Sequence, residues 1–523
     1  MFWADRFVES LKKEFKEKIK SNRSLIIRDE KTASGRVHVG SLRGVVIHGV
    51  ISEILSDENI TNKYFYEIND FDPMDGLPTY LDQEKFSSFM GKPLCEIPSP
   101  DGKALNFAEY FGQEFIGVIE ELGFKPEYTR SSVLYKEGKY NDYIKLAMDN
   151  AQNIRDIYKE ISGSQKGSDW FPINIRCENC GNISTTQVLS WDGEIVEYKC
   201  ENIEWAKGCS HLGKISPYNG KAKLPWKVEW AAKFKIYNVD IEGAGKDHST
   251  RGGARQVAEA ISRKVFKHEP PFDVPYEFFL VGGRKMSSSK GKGSSAREMA
   301  NLLPPHILRF LLISKDITQQ INVDPEEDSI PMLFDAYDRI AKVYWQTQKN
   351  QKLFKLVHVP YKEGLEKRAL PRFSTVAYLV QMPHVDILAE LEKLDGFKYE
   401  EKDKKELELR SKYARIWLST YAPEDYKFEI QKEIPEVAKN FSQSQKNALK
   451  KVLEYIQLHN VLDGQELHTN LHEIRKTSEL EPNEFFKTIY LSILGKKNGP
   501  KAGWFLSVLD RNFLIKRFKE TVG

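Results

Sequence analysis

Apolar positions recur along the first third of the chain with two different periods. "RSLIIRDE" (23–30) sets a short apolar run between charged residues, and "KYFYEIND" (63–70) alternates aromatic with polar positions, so both read as strands. Between them "VVIHGVISEIL" (45–55) places Val45, Val46, Val50, Ile51, Ile54 and Leu55 along a helix face. "AEYFGQEFIGVIEELGF" (108–124) has helical spacing and should stop near Gly123. Such alternation predicts an α/β fold with a parallel sheet covered on both faces. From 171 to 226 the pattern breaks into short strands and turns, as in a small inserted module. Helix and strand alternate again from "WKVEWAAKFKIYNVDIEGAG" (226–245) to about 300. Beyond 330 the strand signals fade. "MLFDAYDRIAKVYWQTQ", "VDILAELEKL", "KKELELRSKYARIWLSTY" and "SQKNALKKVLEYIQLH" all carry helical spacing, which predicts an α-helical C-terminal domain.

Composition narrows the class. The 523 residues are 40% hydrophobic and 29% charged, enough for several domains, each with its own core. No run looks apolar enough to span a bilayer, so no membrane contact is expected. The opening "MFWADRFVESLKKEFKEKIK" reads as a charged amphipathic helix rather than a secretory signal. A net charge of +3 neither demands nor excludes nucleic acid. Four of the five cysteines cluster, which argues against a disulfide framework and for a cytoplasmic location.

That cluster is "CENC" at 177–180, then Cys200, then Cys209, with His211 two residues on. Cys177, Cys180 and Cys200 have the spacing of a zinc ribbon, whereas Cys209 follows later than such a ribbon would place it. His211 is therefore the alternative fourth ligand. Four ligands leave no open position, so the expected Zn²⁺ is structural. Cys95 stands apart, as a packed apolar residue.

Two further stretches point to phosphate. "TASGRVHVGSLRG" (32–44) is a glycine-rich turn between a strand and a helix, and holds His38. Free N–H groups and the helix dipole make such a turn an anion site, and the histidine adds a donor. "GGRKMSSSKGKG" (282–293) is basic, flexible and rich in donors, fit to wrap a polyphosphate. Either stretch alone also fits a solvated turn. Together they supply what neither supplies singly.

"HVGS" and "KMSSS" resemble the paired motifs of the class I aminoacyl-tRNA synthetases. Over the whole chain the pattern is similar to the class I lysyl-tRNA synthetases. The shared stretches are "WAD" (3–5), the "T-x-SG-x-VHVG" of 32–40, "WKVEW" (226–230), "GAGKDH" (243–248), "YEFF" (276–279) and "LGKKNGPKAGWFLSVL". The resemblance implies a Rossmann-type catalytic domain in two halves (1–170 and 226–300) around a zinc insert (171–225). A connecting helical segment (301–345) and an α-helical anticodon-binding domain (346–523) would follow. It also implies that L-lysine, ATP with Mg²⁺ and tRNA(Lys) are the partners, on a monomer.

In this family His38 would meet the ATP phosphates while the amino acid carboxylate attacks the α-phosphorus, and Lys285 and Lys290 would neutralise the departing pyrophosphate. The nucleotide would lie along Gly35, Val37, Val39, Gly40 and Ser41, along Met286, Ser287, Ser288 and Ser289, and against Gly245, Asp247 and His248 around its ribose. Thr32, Asp72, Asp75, Glu229, Trp230 and Tyr276 would form the amino acid pocket, where an ammonium on an apolar stem calls for a carboxylate and an aromatic wall. The chain departs from the family at three points. Ser41 stands where His or Asn is common, Ala33 where proline is, and Ser288 where a second lysine is, with Lys290 in reach as its substitute. The other readings are a class I synthetase for another amino acid and a non-catalytic RNA-binding paralogue. Retention of His38, Gly40, Lys285 and "GAGKDH" speaks against the paralogue, which would not need them.

Overall fold

The structure is a computed structural model describing residues 2–283, 295–349, 351–382 and 385–523. Its centre is a five-stranded parallel sheet. β1 (Leu25–Thr32), helix α1 (Leu42–Asp57), β2 (Asn62–Asn69), helix α2 (Phe107–Glu121) and β3 (Glu127–Arg130) come from the first segment. Helix α3 (Trp226–Ile236), β4 (Ile241–Glu242), helix α4 (Ala254–Lys264) and β5 (Phe272–Asp273) come from the second. The strand order is β5-β4-β1-β2-β3, so the chain turns back on itself between β1 and β4. Leu25 pairs with Asn62 and Thr32 with Asn69, while Ile27 faces Ile241 on the other side. In an open parallel sheet ligands collect at the carboxyl ends of the strands flanking such a reversal.

α1 is apolar on all sides, with Leu42 to Ile51 buried without a break, as befits a helix enclosed in a core. With its leading 3-10 turn it is long and apolar enough to cross a membrane, although the sequence suggested no such run. Of that window 72% is buried inside the protein, which explains its composition as packing. The helix expected at the N-terminus forms over Trp3–Glu14, and Trp3 Nε1–H donates to the Ile313 carbonyl at 2.9 Å.

The insert carries a three-stranded antiparallel sheet, Thr186–Trp191, Val196–Cys200 and Leu212–Ile215. The described residues form two compact units. One comprises 1–323 and 349–365; the other comprises 324–348 and 366–523. The second unit is helical throughout, including Ser329–Thr347, Ile387–Asp395, Glu401–Thr420 and Gln443–Leu458, where helical spacing was read. Its Arg410 guanidinium is buried against Asp338 and Glu406 and also donates to the Pro371 carbonyl.

Candidate active site

A cavity of 360 Å³ opens where β1 and β4 end. Of the residues expected at the nucleotide, His38, Gly40, Ser41, Gly245, Asp247 and His248 line it. Thr32, Trp230 and Tyr276 line it from the amino acid side. His38 sits immediately before a 3-10 turn, Val39–Ser41, that leads into α1. Val37 and Val39 are buried beneath that turn, and Gly35 has φ +151°, backbone that a side chain rarely adopts. His38 pairs with Ser295, and Ala296 N–H donates to the Val37 carbonyl at 2.7 Å. Ser295 also opens a helix with a reciprocal cap to Glu298. Lys285, Met286, Ser287, Ser288, Ser289 and Lys290 lie outside the described residues. The described chain resumes at Ser295, beside His38.

"GAGKDH" and "YEFF" are joined by their backbones. Tyr276 N–H donates to Ala244 and Lys246 N–H to Tyr276. This hangs the Tyr276 side chain over the first turn of α1, where Gly44 makes room. A Cβ at Gly44 would stand 2.6 Å from the Tyr276 hydroxyl and 2.7 Å from Asp29 Oδ2. Burial, then the Asp29 carboxylate, pushes the Tyr276 phenol well up, so it stays a neutral donor. Trp230 stacks on Trp226 at 5.8 Å, and His248 meets the Trp226 ring edge-on at 5.3 Å. Trp230 Nε1–H is held by the Glu242 carboxylate.

Three expected pocket residues do not line the cavity. Glu229 is fully buried with its carboxylate on Lys223 (2.7 Å) and Lys233 (3.4 Å), an arrangement set by α3. Asp72 binds Lys223 at 2.9 Å and accepts from Thr32 Oγ1 at 2.7 Å, so it reaches the cavity only through Thr32. Asp75 is exposed on the loop beyond.

In their place the sequence reading missed a charged floor at the end of β1. Arg28, Lys233 and Lys223 are buried among Glu30, Glu67, Glu229, Glu242 and Asp72. Burial alone would raise the Glu30 carboxyl, but Lys233 and Arg28 outweigh it and hold it well below the usual range. Burial opposes the charge on Lys233 too, and Glu229, Glu30 and Glu67 keep it protonated. Asp29 differs from these acids. Its neighbour His48, at 3.3 Å, accepts the Gly243 N–H at Nε2 and meets the Gly44 carbonyl at Nδ1. An imidazole accepting at one nitrogen and donating from the other is neutral. No lysine or arginine of the described residues forms an ion pair with Asp29, which lines the cavity 12% exposed. Lys31, two positions along the strand, also lines the cavity, and burial pushes its ammonium down. "RDEKT" at the end of an apolar run was the available signal.

In the insert the four Sγ atoms of Cys177, Cys180, Cys200 and Cys209 lie within 4.8 Å of one another, with Cys177–Cys209 at 3.6 Å and Cys180–Cys200 at 3.8 Å. Four thiolates about 2.3 Å from a tetrahedral centre have edges of about 3.8 Å, so this set fits such a metal. His211 is not in the cluster; its ring lies 5.9 Å from the Tyr198 ring, and the late spacing of Cys209 is absorbed by the strand pairing. Cys95 is half-buried against the core around the insert, where burial pushes its thiol up to about 12.

Comparison with known proteins agrees with this geometry. A family model described as tRNA synthetases class I (K) matches residues 1–362, and one described as an anticodon binding domain matches 417–522. Lysine–tRNA ligases of Methanosarcina barkeri (strain Fusaro) and Archaeoglobus fulgidus are both 32% identical; the alignments cover 99% of this chain and 97% and 99% of theirs. A glutamate tRNA ligase from Elizabethkingia meningosepticum superposes at a TM-score of 0.44 with 10% identity, over 96% of this chain and 99% of that one. On the full-length match of sequence and family model, the chain belongs to the class I lysyl-tRNA synthetases.

Proposed function

We propose that this chain joins L-lysine to tRNA(Lys) through a lysyl-adenylate, with the cavity at the ends of β1 and β4 as the reaction site. The observation that carries the reading is Asp29, a carboxylate with no lysine or arginine partner among the described residues, beside an aromatic wall and His38. Lysine places its ε-ammonium at Asp29 and its stem along Trp230 and Tyr276. Lys31 draws the negative groups at the other end, either the lysine carboxylate or the α-phosphate. ATP lies with its phosphates over the turn at 38–41 and its ribose toward Asp247, and Mg²⁺ accompanies the phosphates. As the carboxylate attacks the α-phosphorus, His38 stabilises charge growing on the phosphate oxygens, and Lys285 and Lys290 meet the leaving pyrophosphate. The anionic floor discriminates by charge, since it repels an acidic substrate and leaves a neutral one unpaired.

The thiolate tetrad is assigned to one Zn²⁺ that ties the insert together, where the core is too small to do so alone. The decisive experiment is ATP–pyrophosphate exchange and tRNA charging over all amino acids, run with tRNA present so that a tRNA-dependent activation is not missed. Lysine alone should support both. Exchange with another amino acid at comparable kcat/KM would replace this reading with a synthetase of different specificity, and no exchange at all with a binding protein.

A further inference from the structure

Residues 72–94 leave the sheet as a loop whose neck is closed by its own backbone. Met74 N–H donates to the Lys92 carbonyl at 2.9 Å, Gly91 N–H to the Met74 carbonyl at 2.8 Å, and Leu94 N–H to the Asp72 carbonyl at 2.9 Å. Inside the loop Phe86 packs on Phe107 of α2, with ring centres 5.8 Å apart, and Tyr80 meets Phe111 of the same helix edge-on at 6.4 Å. A loop closed at its neck and filled by its own side chains moves as one piece.

This piece grips the phosphate turn at two points. Asp72 accepts from the Thr32 hydroxyl at 2.7 Å where β1 ends. The Tyr80 hydroxyl oxygen accepts the Arg36 N–H at 2.6 Å, and the Arg36 guanidinium lies 4.6 Å from the centre of the same ring. Between the two grips sits Gly35 at φ +151°, a residue that can occupy more than one backbone basin. The peptide unit is planar, so fixing the Arg36 N–H fixes the Gly35 carbonyl and the direction in which Val37 and His38 follow. A donor that acts on transition-state charge tolerates little misplacement.

The loop is in turn held by the insert. Ile183 N–H donates to the Gly91 carbonyl at 2.9 Å, and Asn182 Nδ2 to the Met90 carbonyl at 3.1 Å. Gly91 has φ +86°, and a Cβ on it would stand 2.3 Å from Asn182 Oδ1, so only bare backbone fits this junction. Asn182 belongs to the cysteine knuckle, where its carbonyl accepts the Cys177 N–H at 2.9 Å.

We propose that Tyr80 is a positioning residue for adenylate formation, which sets His38 through the Arg36 N–H and is itself anchored by the insert at Gly91. The inference rests on the reading of the turn at 38–41 as the ATP site. It gives the insert a part in the reaction, although none of its residues lines the cavity.

The test is a double-mutant cycle on the full chain, read as the single-turnover rate of lysyl-adenylate formation with tRNA present. Tyr80→Phe keeps the ring on Phe111 and removes only the acceptor. It should slow the reaction about fivefold, the worth of one net hydrogen bond, with equilibrium binding of lysine unmoved. In a His38→Ala background the same change should cost nothing further, because the group that Tyr80 sets is gone. Equal losses in both backgrounds would make Tyr80 a general support and overturn the proposal, as would an unslowed Tyr80→Phe chain. Asn182→Ala tests the anchor: hydrogen exchange across 72–94 should speed up while the strands of the insert stay protected. Unchanged exchange there overturns the anchoring, and if this variant fails to fold the Tyr80 cycle alone decides. A chain that forms no lysyl-adenylate sinks the ligase reading; exchange across 33–38, faster in Tyr80→Phe, then decides whether the grip exists. An active ligase with an additive cycle keeps the reading and loses Tyr80 from it.

Discussion

On the proposed reading His38 serves the reaction and Asp29 the selection of lysine, so their substitutions should fail differently. The charge that this reading assigns to His38 exists only in the transition state. His38→Ala should therefore slow adenylate formation about a hundredfold, as losing one oxyanion donor does, while lysine binding stays near its original strength. Single-turnover kinetics with tRNA present separates the two. Asp29→Asn removes the charge but keeps the shape. It should raise the KM for lysine about a hundredfold, as breaking one partner of a sheltered ion pair does, and an unchanged KM would move the ammonium elsewhere. The sequence made His38 legible only through the basic stretch at 282–293 and the family resemblance, since a histidine in a glycine turn alone also fits a solvated turn. Asp29 was not legible. Its significance lies in the neutrality of His48, which depends on the Gly243 N–H, 195 residues further along the chain.

At the scale of elements, periodicity was a sound guide wherever a segment ran for two turns or more. β1, β2, α2 and the helices of the second unit lie where their patterns put them. β4 and β5 are two residues each, too short for any period, yet β4 forms the far wall of the site. α3 holds a miss of another kind: Glu229 was expected in the amino acid pocket, but Glu229 and Lys233 are buried one turn apart on one face. That pairing sets a pH dependence. Glu30, held low by Lys233 and Arg28, contributes stability above its unfolded value of about 4.3, lost as pH falls toward its folded value. Glu30→Gln should accordingly flatten the loss of stability between neutral and acid pH in urea titrations. The buried Lys233 works in the opposite direction, adding stability below its ordinary value and losing it only in strong alkali. For the insert, the purified chain should hold about one zinc on tetrahedral-site logic. Cys177→Ser or a strong chelator should remove it and speed hydrogen exchange across 174–223, with β1 still protected. Metal-free protein with normal exchange there would leave the tetrad as reduced thiols only.

At the scale of the whole molecule, the boundary between the two units is crossed three times, at 323, 348 and 365. The segment 349–365 buries Phe354, Leu356 and Val357 in the first unit, and Arg309 donates to the Leu356 carbonyl and, at 2.8 Å, to Leu122. A chain ending at 345 lacks all of this, while one ending at 365 keeps it. The shorter chain should unfold more easily by several kcal/mol, at about 2 kcal/mol for each buried side chain, and denaturant titration of the pair measures it. The same crossing matters while the protein is being made. Translation delivers about 5–20 residues per second, so Ser329–Thr347 leaves the ribosome before the piece that completes the unit preceding it. For a second or more the nascent chain holds a nearly finished first unit and an orphan helix of the next. The first unit can close only after the ribosome has moved well past residue 365, which makes a pause in synthesis just upstream of that point the most hazardous place for this chain to stop.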